Sequence, residues 1–594
     1  MPAPLLGSRR DRRSAAVLGA SLLAAVTLAA TAATPAAASP RPLAEPDTAT
    51  LAGALRHQQV EWGPCAFTGL TPEQDDRFQA VPGLACATIT VPRDWHDPAD
   101  GHTFQVRVSK TATAGAARQG IALVNPGGPG GAGLHWGAAM ATMAPALAHQ
   151  YDFVGFDPRG VGDSTRVPCT VTIDSEVVDS YDEETEAYVR GCEETPGTEF
   201  ITTEQTAYDM DFIRVLLGER KTSYIGYSYG TWLGTWYAAT FPGKVHRMLL
   251  DSSTDVSEKS LQRTWDLQPY TRDRAFQEQL LPYVARRDDF YGLGADPMAI
   301  RRAWEEAGGT RTFTGQIMFA WFILPALYDT STYEIAGAAV NTVVLSGQEP
   351  ATEQVVRRFV DEQLARPALA ADLRGVLLQA REGALGAIAK GPARLPATAD
   401  VSTFEVDYTF ELIRCQDGQW NQSHDYWKKS AAKLLREAPL IGPFMQNVPA
   451  CAFFRTDNRM PKPNPRTFPQ VLVVQSEMDA ATAYEGALDT AKHLPGAKMI
   501  SVDNEGTHGV FPYLTSCVDA PVHAYFHVGL MPDDRFTACQ ALPLPGEAKT
   551  FEVGGTIGPK GAIKVETVTD DMRRAAKMVK RLLAQQALEP ETAV

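Results

Sequence analysis

The sequence predicts an α/β fold: a mostly parallel sheet flanked by helices and interrupted by a large, mainly helical insertion. Three observations predict it. Short apolar runs alternate with helical patterns between residues 120 and 250. One of these runs leads through Gly226-Tyr227-Ser228-Tyr229-Gly230 directly into a helical pattern. Parallel-strand runs then return only after a long helical stretch, at Val471–Val474 and Lys498–Val502. Strands that alternate with helices form parallel sheets through right-handed crossovers.

The elements follow in order. Arg9, Arg10, Arg12 and Arg13 precede an apolar run over 15–30, and Ala36-Ala37-Ala38 then leads to Ser39-Pro40. A basic start, a short apolar core and an Ala-x-Ala end form an export signal. Residues 1–38 are therefore expected to be cleaved, and 39–60, rich in Pro and Ala and then polar, to be a linker or pro-segment. Residues 61–256 form the first part of the core. Within it Ala85–Val91 and Thr103–Val108 alternate as two antiparallel strands. Ile121–Val124, Asp152–Asp157, Thr222–Ile225 and Met248–Leu250 read as buried strands, and Gln205–Leu217 as an amphipathic helix. Residues 257–465 are mostly helical in pattern and form the inserted cap. Residues 466–594 complete the core and end in a tail helix near 570–586.

Composition limits the function classes. The chain has 594 residues, 44% hydrophobic and 21% charged, as in soluble globular proteins. Its formal charge is −15, and it falls to −18 once a leader carrying four Arg and one Asp is removed. Such an acidic protein is a poor partner for nucleic acid. No second apolar run is long enough to cross a membrane, so the mature protein is expected to be soluble. The sequence leaves the oligomeric state open.

Eight cysteines, an even number in an exported chain, favour disulfides. Eight cysteines allow 105 connectivities. Spacing suggests the sequential pairs Cys65–Cys86, Cys169–Cys192, Cys415–Cys451 and Cys517–Cys539. No Cys-x-x-Cys or His-Glu-x-x-His occurs, and the sequence suggests neither a metal site nor a cofactor.

The chemistry starts at Ser228. In α/β-hydrolases a Gly-x-Ser-x-Gly between strand and helix holds a nucleophilic serine in a strained, exposed turn. A serine hydroxyl needs a base, and the base needs an orienting acid. The chain order in that fold is serine, acid, histidine. Asp479 follows the strand at Val471, and His508, in Gly506-Thr507-His508-Gly509, follows the strand at Met499. Both lie at carboxyl ends of strands, where open α/β sheets carry their sites. Glu477 and Asp503 are rivals for the acid. Two oxyanion donors are expected: the N–H of Tyr229, and Gly127 or Gly128 in Asn125-Pro126-Gly127-Gly128-Pro129-Gly130. Asp157-Pro158-Arg159-Gly160 reads as a structural turn that braces this loop.

The motifs at 125–130, 157–164 and 226–231, with Cys415-Gln416-Asp417, Cys451 and the Asp479/His508 region, resemble the secreted actinomycete tripeptidyl aminopeptidases. These are α/β-hydrolase serine exopeptidases related to prolyl aminopeptidases. The likeness spans about residues 60–540. It implies a secreted enzyme that removes short peptides, tripeptides above all, from free N-termini. Its partners would be peptide substrates. The same machinery would serve a carboxylesterase or lipase-like hydrolase. One departure is Gln475-Ser476-Glu477, where relatives begin the acid loop with glycine. An exopeptidase must also hold the substrate's ammonium, and Glu411, Asp417, Glu204 and Glu477 are the carboxylates considered for this.

Overall fold

The structure is a computed structural model. It describes residues 45–113, 117–174, 178, 180–346, 352–367, 369, 371–391 and 401–553, together with Lys577, Lys580, Arg581, Leu583 and Ala584. The expected export signal and most of the expected tail helix lie outside these residues.

Eleven strands are described: β1 Ala85–Pro92, β2 Thr103–Lys110, β3 Gly120–Asn125, β4 Tyr151–Phe156, β5 Cys169–Asp174, β6 Thr222–Tyr227, β7 Val245–Asp251, β8 Val401–Val406, β9 Leu472–Ser476, β10 Lys498–Asp503 and β11 Phe536–Gln540. Nine form one sheet in the order β1-β2-β4-β3-β6-β7-β9-β10-β11. β1 and β2 are antiparallel, as their alternation predicts, and β2 meets β4 antiparallel. From β4 to β11 every neighbouring pair is parallel. The strand order reverses beside β3 and β6, so their carboxyl ends open a crevice at the switch point.

The central strands are buried on both faces, which is why they read as continuous apolar runs. In β3, Ile121 and Leu123 pack into one core, while Ala122 and Val124 pack into the core on the other face. In β9, Val473 joins the first and Leu472 and Val474 the second. This period of two is the pleat itself. The helices Thr203–Leu216 and Tyr229–Thr240 cover the first face, and Trp136–Met143 and Ser516–Val528 the second.

The insertion has its own core, built around Phe276, Trp304, Phe322, Tyr333 and Phe359. It is mainly helical, but it also holds β8, which pairs antiparallel with β5 from the first part of the chain. That two-stranded sheet and β11 are additions to the sequence reading. Each is short and mixes polar with apolar residues, which weakens the periodic signal. All eight cysteines are paired, in the sequential pattern that spacing suggests. Among the described residues no helix is long and apolar enough to cross a membrane.

Candidate active site

Ser228 sits between β6 and the helix Tyr229–Thr240 with φ 56° and ψ −128°. A non-glycine residue at positive φ is strained, and the surroundings must hold it there. They do so by close packing. A Cβ on Gly226 would fall 2.5 Å from the Gly230 carbonyl oxygen, and one on Gly230 would fall 2.8 Å from the Asn125 carbonyl oxygen. Only glycine fits at both positions. The Ser228 N–H donates to the Asp251 carbonyl at 3.0 Å, which ties the turn to β7.

His508 follows β10 and is 2% exposed. Its Nδ1 lies 2.9 and 3.0 Å from the two Asp479 carboxylate oxygens. Asp479 is fully buried. It also accepts the N–H groups of Ala481 and Thr482 at 2.8 Å, the Thr482 hydroxyl at 3.1 Å and Gln475 Nε2 at 3.2 Å. The carboxylate is thus fixed from five donors, and its partnership with Nδ1 leaves Nε2 as the ring nitrogen that Asp479 does not engage.

The rivals point elsewhere. Glu477 is fully buried and accepts the Asn504 N–H at 2.6 Å. Asp503 accepts the Ser501 hydroxyl at 3.3 Å. The departure at Gln475 has a physical reason. Its amide donates to Asp479 and to the Thr482 carbonyl at 3.0 Å, while its oxygen accepts the Ser253 N–H at 2.8 Å.

The histidine loop is held by residues that sequence reading did not single out. Asp251, at the end of β7, accepts the N–H groups of Val510 at 2.8 Å and Phe511 at 2.6 Å. Burial pushes this carboxyl up to about 6. The Ser252 hydroxyl accepts the Gly509 N–H at 2.8 Å. From the cap, Tyr328 accepts the His508 N–H through its carbonyl at 2.8 Å and packs edge-on against the imidazole at 5.2 Å. An acid ending an apolar strand, Met248-Leu249-Leu250-Asp251, was the signal available for Asp251.

The glycine-rich loop follows β3 and closes on the nucleophile. A Cβ on Gly127 would fall 2.8 Å from Ser228 Cβ and 3.0 Å from Tyr229 N. Gly127 already donates its N–H to Asn125 Oδ1 at 3.0 Å, whereas Gly128 lines the cleft beside Ser228 and Tyr229. Of the two glycines, Gly128 is the one that lines the cleft. Asp157 accepts the N–H groups of Gly133 and Leu134 at 2.8 and 2.9 Å. Arg159 is fully buried and bidentate to Asp209 at 2.7 and 2.8 Å. The Asp-Pro-Arg turn is a brace.

Ser228 and His508 line the same cleft. Trp265, Phe410 and Tyr328 give it an aromatic wall, Thr254, Thr264, Gln268 and Thr482 add polar groups, and Leu583 also lines it. None of the four carboxylates considered for the substrate ammonium lines this cleft. Glu411 is bidentate to Arg414 at 2.7 and 2.9 Å. Glu204 meets His96 Nε2 at 3.3 Å. Asp417 and Glu477 are fully buried. Proximity in sequence to the cleft residues did not show that each is already engaged. Glu411, Cys415 and Cys451 gather their ligand atoms within 4.8 Å, but the two sulfurs form a disulfide and offer no thiolate to a metal.

Residues 123–288 match the family described as alpha/beta hydrolase fold, and residues 438–549 match the family described as TAP-like protein. A tripeptidyl aminopeptidase of Streptomyces lividans is 28% identical over 84% of this chain and 90% of its own length. The serine protease Hip1 of Mycobacterium bovis is 30% identical over 49% of this chain and 56% of its own. Carboxylesterase B of Mycobacterium tuberculosis is 28% identical over 82% of this chain and 92% of its own. With the parallel sheet and its serine turn, these matches make the chain an α/β-hydrolase serine peptidase that is similar to the tripeptidyl aminopeptidases along most of its length.

Proposed function

We propose that this protein is an exported serine exopeptidase that releases short peptides, tripeptides in particular, from free N-termini. The observation that carries the reading is that the strained Ser228 and His508, the latter paired with Asp479, line one cleft. Ser228 attacks the carbonyl while His508 takes its proton through Nε2. Asp479 holds the imidazole and stabilises its charged form. The N–H groups of Gly128 and Tyr229 receive the oxyanion. His508 then protonates the leaving amine, and water hydrolyses the acyl-enzyme. The insertion supplies Trp265, Gln268, Tyr328 and Phe410 to the cleft and so acts as a cap over it. Tripeptide release is supported by the likeness to a tripeptidyl aminopeptidase along most of both chains. Export is supported by the leader pattern at 1–38 and by four disulfides.

The test is mass spectrometry of a longer synthetic peptide digested with its N-terminus free or acetylated. Successive loss of three residues from the free form alone is expected. Internal cuts in both forms would refute exopeptidase action. A second reading, a carboxylesterase on the same triad, is favoured by the match to carboxylesterase B. It predicts turnover of p-nitrophenyl butyrate with no cleavage of either peptide.

A further inference from the structure

Asp417 is fully buried and takes no part in the mechanism above. It caps the helix Thr409–Gln416, which carries Phe410 to the cleft wall and which the Cys415–Cys451 disulfide pins to the cap. Its carboxylate turns inward, to Thr203 at the start of the helix Thr203–Leu216. The Thr203 N–H donates to Oδ1 at 3.3 Å, and the Thr203 hydroxyl contacts Oδ2. The same hydroxyl contacts the phenol of Tyr229. Tyr229 directly follows the nucleophile, is 4% exposed and lines the cleft.

We propose that Asp417 is a positioning residue for the oxyanion site: through Thr203 it fixes the Tyr229 side chain and with it the direction of the Tyr229 N–H. The proposal rests on Ser228 being the nucleophile, but not on whether the substrate is a peptide or an ester.

Counting protons fixes the direction of this chain of hydrogen bonds. The Thr203 hydroxyl has one proton and two oxygen neighbours. A carboxylate only accepts, so the hydroxyl must donate to Asp417. The Tyr229 phenol must then donate to Thr203. The chain has one direction, and the ring has one place. Once Asp417 is protonated it can donate instead. The direction can then reverse, and the Tyr229 phenol proton loses its acceptor. The N–H of Tyr229 is at the first position of its helix, with no intrahelical partner to hold its peptide plane. Hydrogen bonds weaken steeply with misalignment, so a tilt of this plane is felt at the oxyanion.

The groups that face Asp417 are Glu204, from the Thr203 helix, and Tyr229 and the Trp232 indole, from the helix Tyr229–Thr240. On its own helix Arg414 is bidentate to Glu411. Burial pushes the Asp417 carboxyl up to about 7, and Glu204 adds to the rise, against the Thr203 and Trp232 bonds. The aligned state is the carboxylate, so the rate falls as pH drops through this range.

The experiment compares wild type with Asp417→Asn, Thr203→Val, Thr203→Ser and the double variant Asp417→Asn/Thr203→Val. Substrates are p-nitrophenyl butyrate and a tripeptide p-nitroanilide, with active sites counted by fluorophosphonate labelling taken to completion. Asp417→Asn places an NH2 toward Thr203 and imposes the reversed chain. Loss of oxyanion alignment is expected to lower kcat by about 10- to 100-fold on both substrates, with KM within about threefold. Thr203→Val should lose as much, the double variant should lose no more than either single, and Thr203→Ser should keep most of the rate. The acid limb of kcat/KM should be less steep in Asp417→Asn than in wild type. Wild-type kcat per labelled site in Asp417→Asn would overturn the proposal. So would additive losses in the double variant, or a loss confined to the number of sites. Wild-type protein that neither labels nor turns over either substrate would refute the nucleophile and this proposal together.

Discussion

Replacing Asp479 with Asn tests the assignment of the acid with almost no change of shape. Oδ1 receives the N–H groups of Ala481 and Thr482, both at 2.8 Å. These backbone donors cannot turn, so the amide oxygen must take that place. The NH2 then stands where Oδ2 was, 2.9 Å from His508 Nδ1, 3.1 Å from the Thr482 hydroxyl and 3.2 Å from Gln475 Nε2. It must donate to Nδ1, which puts the imidazole proton on Nε2, the nitrogen that should receive the serine proton. The wrong tautomer costs about 10⁴-fold in kcat, or about 5.5 kcal/mol of barrier. The Gln475 amide loses one acceptor but keeps the Thr482 and Ser476 carbonyls at 3.0 and 3.3 Å, so little loss of stability is expected. The assay is p-nitroanilide hydrolysis per labelled site, with urea unfolding alongside. Glu477→Gln serves as the comparison, because Glu477 accepts the Asn504 N–H and makes no hydrogen bond to His508. Asp479→Asn within tenfold of wild type, or Glu477→Gln the more damaging in kcat, would refute the reasoning.

Other consequences can be measured together. The Asp251 carboxyl is raised by burial from 3.8 to about 6, so its neutral form is the one the fold favours. Its contribution to stability is complete below 3.8 and lost as pH rises through about 6. Asp251→Asn should flatten that part of a Tm-against-pH curve, and an unchanged slope would contradict the assignment. Arg159→Ala leaves Asp209 charged, buried and without its guanidinium. It should destabilise by about 3–5 kcal/mol in urea, whereas a surface-like loss below 1 kcal/mol would not fit. The Cys415–Cys451 bridge spans 36 residues. Replacing both with Ala should cost about 4 kcal/mol on the chain-entropy account, read by denaturant midpoint. Trp265→Ala removes a face of the cleft wall and should raise KM for an anilide with little change in kcat.

The site was legible where its chemistry is local. A strand, a Gly-x-Ser-x-Gly turn and a helix are contiguous, so Ser228 and the Tyr229 N–H follow from about ten residues. Asp479 and His508 follow from fold order, since each closes a β-strand. Choosing Asp479 over Glu477 and Asp503 depended on which way a loop turns, and the structure shows why: Gln475 and two backbone N–H groups hold Asp479 toward His508. The carboxylates near the cap illustrate the limit of sequence. Glu411 and Arg414 are three apart on a helix and pair with each other, which spacing could have shown. Asp417 meets Thr203 across 214 residues, which no local pattern carries. The sheet core was legible because its strands are buried on both faces. β5 and β8 were not, since β8 is largely exposed and its partner lies more than 200 residues away.

The measurement closest to the central claim is hydrolysis of Ala-Ala-Pro-p-nitroanilide, with the N-terminus free or succinylated, by the wild-type protein and by Ser228→Ala. Cleavage of the free peptide alone, abolished in Ser228→Ala, is the result expected of a serine exopeptidase that reads a free N-terminus. Equal cleavage of both peptides, or cleavage that survives in Ser228→Ala, would contradict it.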